Sequence, residues 1–147
     1  MIKDLSGVKG DPAMSMSSKD LAMFVLRVVL GSVFIAHGAQ KLFGMFGGIG
    51  LEGMTKMMEG LGFSYPDTCA IAWSGIEFVG GIFLVMGIMA RYAALSIGTL
   101  MAVSIWKMDL TNGFFIQNGG YEYNLLIIGA CVAIVCMGGG SWSVWDV

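Results

Sequence analysis

The chain has 147 residues, of which 56% are hydrophobic and only 12% charged, and its mean hydropathy is +0.79. A soluble domain carries about 25% charged residues, so this composition excludes an ordinary soluble domain and reads as an integral membrane protein of one small domain. A net charge of -2 offers no basic surface for nucleic acid, so none is expected as a partner.

Residues 1–19 read as a polar N-terminal tail carrying Lys3, Lys9 and Lys19, and residues 20–147 as the membrane domain. The apolar stretch behind the tail is too long for a signal h-region and no A-x-A site follows it, so it is expected to remain as a span. Four apolar segments follow. The first runs from Leu21 to Gly38, interrupted by Arg27 and His37, and the second from Cys69 to Met89, with Glu77 its only charge. The third runs from Tyr92 to about Met108, with Lys107 near its end. The fourth, from about Tyr123 to Met137, is short and is expected to extend to include Tyr121 and Gly139. Crossing a bilayer takes about 20 residues, and no segment has the broad polar face of a soluble bundle helix. Between the first two spans, "LEGMTKMMEGL" (residues 51–61) places Leu51, Met54, Met58 and Leu61 on one side of a helix. It reads as a short interfacial helix, more a connector packed on the bundle than a lipid sensor. The expected fold is all-α: an integral membrane four-helix bundle with that short helix between spans 1 and 2.

With four spans both termini share a side. That side carries Lys3, Lys9, Lys19 and Arg91, against Lys41, Lys56 and Lys107 on the other, so the N- and C-termini are expected in the cytoplasm.

Charges inside spans are the first functional signal, because one at the bilayer centre costs at least ~2.5 kcal/mol and must face the bundle interior. Arg27 lies seven residues into the first span and Glu77 near the middle of the second. They are expected to pair, directly or through water, with Gly31, Gly80 and Gly81 letting two backbones close around them. A packing clamp and a proton or ligand site are both compatible with such a pair.

The second signal is a polar cluster at the other membrane face. His37 and Lys41, one turn apart, project together at the end of the first span. Lys107 and Asp109 end the third span, and Tyr121, Glu122 and Tyr123 open the fourth. A lone histidine at a helix end is ordinarily structural, but seven polar or ionisable groups at one depth point to a shared pocket. No metal is expected, since one histidine with no H-x-x-x-H or C-x-x-C spacing cannot build a site. A small ligand bearing carbonyl or anionic oxygens fits better. A quinone headgroup needs proton donors beside an apolar tail groove, and a small sulfur oxyanion would need the lysines. Cys69, Cys131 and Cys136 read as small apolar filler. The last two stand five positions apart, about 140° around a helix, and cannot bridge within it.

The pieces "RVVLGSVFIAHGAQKLFG", "EFVGGIFLVMGIMARYAA", "TNGFFIQNGGYEYNLL" and "GGGSWSVWD" occur in one order from about Leu21 to Asp146. In them the sequence resembles the DoxX family of small four-span bacterial membrane proteins. The resemblance implies a four-helix bundle in the bacterial inner membrane, and a loose link to redox complexes through a membrane subunit of thiosulfate:quinone oxidoreductase. Some members associate with sulfurtransferases and superoxide dismutase, and other relatives act as membrane chaperones or assembly factors. Carried over by position, the characteristic residues are Arg27, His37, Gly38, Lys41, Glu77, Gly80, Gly81, Arg91, Asn112, Gly113, Gly120, Tyr121 and Glu122. One departure stands out: family members often carry a histidine shortly before "NGFF", where this chain has Asp109.

Three readings follow. The first is a membrane subunit of a redox assembly that helps pass electrons to quinone. With no dinucleotide, flavin or cluster motif in the chain, the redox centre is then on a partner subunit, and no covalently bound cofactor is expected. The second is a non-catalytic scaffold or assembly factor. The third is a small-solute transporter or channel, for which four spans would need a homo-oligomer. Whether the chain is catalytic stays open at this level.

Overall fold

The structure, a computed structural model, describes residues 18–145. Apart from Ser18 and Lys19, which open the first helix, the expected polar tail lies outside the described residues.

Five α-helices carry the fold: α1 (Ser18–Phe43), α2 (Gly50–Gly60), α3 (Pro66–Met86), α4 (Ala90–Ser104) and α5 (Glu122–Met137). Among the described residues there is no β-strand. Helix α1, helix α3 and the helical run Ala90–Asn112 that begins with α4 are each long and apolar enough to cross a bilayer. Helix α5 is a shorter apolar helix beside them. The protein is thus an all-α, multi-pass membrane bundle.

Local chemistry explains the helix ends. Asp20 in the first turn of α1 and Lys41 in its last turn both complement the helix dipole. Helix α3 opens on Pro66 with Asp67 behind it, where a missing N–H costs nothing. It closes at Gly87, whose φ of 68° is left-handed; Gly87 N–H then reaches Leu84 O and Ile88 N–H reaches Phe83 O.

Two boundaries differ from the sequence expectation. Helix α1 runs on through Gly38 to Phe43, so His37 and Lys41 stand within its last turns rather than at its end. Helix α5 does not extend to Tyr121 and Gly139. Tyr121 is tied into the preceding loop through Gly113 O, and the chain leaves the helix at Gly138. At 1.5 Å per residue α5 is about 24 Å long.

In a bilayer, lipid tails compete with apolar side chains for contact, so helices associate through close packing. Helices α1 and α3 do this through glycine. A methyl group on Gly31 would meet Gly81 O at 2.6 Å, and one on Gly81 would meet Gly31 O at 2.7 Å. In the main core Leu84 of α3 clusters with Leu30 and Phe34 of α1, with Ile97 of α4 and with Ile127 and Ile134 of α5. Helix α2 buries Met54 and Met58 against Ala70 and Trp73, so the short helix is seated on the bundle by the apolar face read from its sequence.

The C-terminal residues fold back over one end. Val144 N–H reaches Met86 O, Trp145 N–H reaches Gly87 O, and Met89 N–H reaches Trp145 O. Ser141 N–H is accepted by Asp20 Oδ1, and the Trp142 ring meets Phe24 edge-on at 4.8 Å.

Candidate functional site

Arg27 and Glu77 do not form the expected pair. Arg27 is fully buried and donates to Leu84 O at 3.2 Å and Trp142 O at 3.1 Å. Glu77 instead takes Lys41: Lys41 Nζ and Glu77 Oε1 are 2.6 Å apart, and Trp73 Nε1 donates to the same oxygen at 3.1 Å. The register of the antiparallel α1–α3 pair is the reason. Gly31 faces Gly81, which sets Arg27 beside Leu84, seven residues and about 10 Å along α3 from Glu77. Going the other way along α1, Lys41 arrives at Glu77. The arginine therefore binds the carbonyl end of α3, where the helix dipole is negative, and the lysine becomes the carboxylate's partner.

The Lys41–Glu77 pair borders a cavity of about 240 Å³. All five helices or their flanks contribute. Helix α1 supplies Phe34, His37 and Lys41; α2 supplies Met54 and Met57; and α3 supplies Trp73 and Glu77. The α4 segment adds Met101, Ser104 and Met108, and α5 adds Tyr123, Asn124 and Ile127. Polar groups thus sit on walls of methionine, phenylalanine and tryptophan.

Of the seven residues expected in the polar cluster, three line this cavity: His37, Lys41 and Tyr123. Asp109 acts one step back. Its Oδ2 accepts from Ser104 Oγ at 3.2 Å and from Asn124 Nδ2, fixing two residues of the lining. A π turn over Ile105–Asp109 makes this contact available. The wider turn brings a residue five positions on back over Ser104, which regular α-helix spacing would not.

The other three point elsewhere. Lys107 is exposed and lies over the rings of Trp106 at 4.8 Å and Phe63 at 5.4 Å. The Tyr121 ring packs edge-on against Phe114 at 5.6 Å. Glu122 Oε1 accepts Ile116 N–H at 2.8 Å and so closes the loop before α5. Sequence reasoning missed Trp73, Ser104 and Asn124. The available signal was a neutral polar residue, or an indole N–H, inside an otherwise apolar helix, where it needs a partner.

A hydrogen-bond inventory shows what the cavity can offer a ligand. Lys41 spends one N–H on Glu77 and keeps two. His37 and the Tyr123 hydroxyl make no hydrogen bond among the described residues. Asn124 spends its amide donors on Ser104 and Asp109 and leaves its carbonyl oxygen. Glu77 Oε2 is buried with no hydrogen-bond partner among the described residues. Donors and acceptors thus face one small space, and one buried acceptor awaits a donor. No group of three or more His, Cys, Asp or Glu side chains suited to a metal ion occurs among the described residues.

A sequence profile of the DoxX family matches residues 22–110, from α1 through the π turn. The chain is similar to a Bacillus subtilis (strain 168) protein named "Putative oxidoreductase CatD", with 27% identity over 120 residues, covering 80% of this chain and 81% of that protein. It is also similar to two Haemophilus influenzae (strain Rd) proteins, each named "Uncharacterized protein". One is 33% identical over 110 residues, covering 70% of this chain and 75% of its own length. The other is 24% identical over 128 residues, covering 84% and 81%. No solved structure matches the chain. With the profile spanning well over half of its length, this chain belongs to the DoxX family.

Proposed function

We propose that the protein is a membrane subunit of a redox assembly and that its polar cavity binds a quinone headgroup, the electrons coming from a redox centre on a partner subunit. One observation carries this reading: His37, Lys41, Glu77, Tyr123 and Asn124 converge on a single cavity with apolar walls. A quinone head is a flat, largely apolar ring with two carbonyl oxygens; Glu77 Oε2, without a hydrogen-bond partner among the described residues, and the uncommitted N–H groups of Lys41 fit its hydroxyls and oxygens. The oxidoreductase name of the Bacillus relative agrees with this direction.

A bound quinone supplies chemistry that takes up two electrons and two protons. The residues of this chain bind and orient the ring and hold protons. Lys41 donates one of its two uncommitted N–H groups to a ring oxygen while the N–H already on Glu77 keeps the carboxylate in place. His37, which is exposed, and Tyr123 both line the cavity, and in this reading they hand a proton to a ring oxygen. Asp109, through Ser104 and Asn124, fixes the opposite wall.

The test is purification from native membranes in mild detergent, followed by solvent extraction of quinone and identification of co-purifying chains. Near-stoichiometric quinone, lost on His37→Ala in a protein that still folds, is the expected result. A quinone-free wild-type protein that co-purifies only with non-redox chains would replace this reading with the scaffold.

A further inference from the structure

The polar cavity has an apolar neighbour. Between α1 and α5 runs a groove of about 840 Å³. Helix α1 contributes Val29 and Val33, and α5 contributes Leu126, Gly129 and Ala133. Among the described residues, the polar side chains in its lining are Glu122 and Tyr123, both at the first turn of α5. Tyr123 and Ile127 line the groove and the polar cavity alike, so the two spaces adjoin at these side chains. From Tyr123 to Ala133 the groove follows α5 for about 15 Å, at 1.5 Å per residue.

Gly129 stands on the α5 wall of the groove with open space beside it. Glycine in a helix interior costs about 1 kcal/mol relative to alanine, and the usual return is a close helix crossing, as at Gly31 and Gly81. At Gly129 there is no crossing: an added methyl group would meet nothing within 4 Å. The absent side chain therefore leaves room, on a wall that faces outward toward lipid.

We propose that this groove receives the hydrocarbon tail of the ligand whose head occupies the polar cavity. The ligand then enters sideways from the bilayer between α1 and α5, past Tyr123. This selects long-tailed lipid quinones over water-soluble oxyanions as the ligand class. The inference rests on the quinone reading above.

The experiment uses the full chain in phosphatidylcholine nanodiscs, where phospholipid is in excess throughout. The probes are a decyl-tailed benzoquinone and the same ring without the tail, with binding read from quenching of tryptophan fluorescence, Trp73 being in the cavity lining. Partition into the bilayer favours the tailed probe in every variant equally, so the informative quantity is the ratio of the two affinities relative to wild type. Gly129→Phe fills the groove from α5, and Val29→Trp fills it from α1. Each is expected to lower that ratio at least tenfold while leaving the tail-less affinity within twofold. An unchanged ratio in both folded variants overturns the inference and leaves the groove to annular phospholipid or a helix of another chain. Equal loss of both probes in both variants also overturns it, because groove and head cavity are then not separable. If wild type binds neither probe, the quinone reading fails and this inference with it.

Discussion

The α1–α3 helix pair carries a buried charge toward each end, and the two ends are built differently. At one end Arg27 is fully buried, its guanidinium held by Leu84 O and Trp142 O and packed against Gly87. At the other, Glu77 is equally buried, but its partner Lys41 keeps 23% of its side chain exposed and both border a cavity of about 240 Å³. The arginine closes a gap between helix end and C-terminal fold-back; the carboxylate and lysine keep one open. Of the two buried charges, only the Lys41–Glu77 pair adjoins space that a ligand could fill.

The contrast is breakable by mutation. The largest effect is expected for Lys41→Met, which strands the Glu77 charge in a buried site at a cost of about 3–5 kcal/mol. The double variant Lys41→Met/Glu77→Gln should recover most of that loss, as read from the unfolding midpoint in denaturing detergent. Full recovery of stability with no recovery of quinone binding would separate the pair's structural role from its proposed role in binding.

Next comes Arg27→Met, which leaves carbonyls at a buried helix end without their donor, for about 3 kcal/mol. Under the quinone proposal, the folded fraction should bind quinone with the affinity of the wild type. A weakened quinone affinity would show that the two ends are coupled and would undo the distinction between them.

His37→Ala reverses that pattern. The residue is exposed and makes no hydrogen bond among the described residues, so stability should stay within about 0.5 kcal/mol. Quinone affinity should fall about tenfold, equivalent to ~1.4 kcal/mol. At the small end, Lys56→Ala removes an exposed bridge to Glu52 of the same helix. It should change stability by less than about 0.5 kcal/mol and binding not at all.

Much of the fold is legible in the sequence because it depends on local pattern. The apolar runs locate the long helices, and the spacing of Met54 and Met58 gives α2 and its buried face. The site is legible only in part because it depends on register and phase. Gly31, Gly80 and Gly81 mark a close approach of two backbones, but nothing local gives its register, and the Gly31–Gly81 contact decides whether Glu77 finds Arg27 or Lys41. Likewise the π turn at Ile105–Asp109 shifts the phase of the residues behind it, turning Lys107 outward over Trp106 and Asp109 inward onto Ser104. Asn124 escapes a search for charged residues altogether, yet it joins Asp109 and Ser104 to the cavity wall.

The hydrogen bond from Arg27 to Trp142 spans 115 positions of sequence. At a synthesis rate of roughly 5–20 residues per second, the residue that accepts it emerges from the ribosome roughly 6–23 seconds after the arginine does. Throughout that interval the first helix carries a guanidinium into the bilayer ahead of one of its acceptors. Final closure of the bundle therefore belongs to the last stage of biosynthesis, and a chain truncated before Trp142 should be retained by membrane quality control even with every long helix already made.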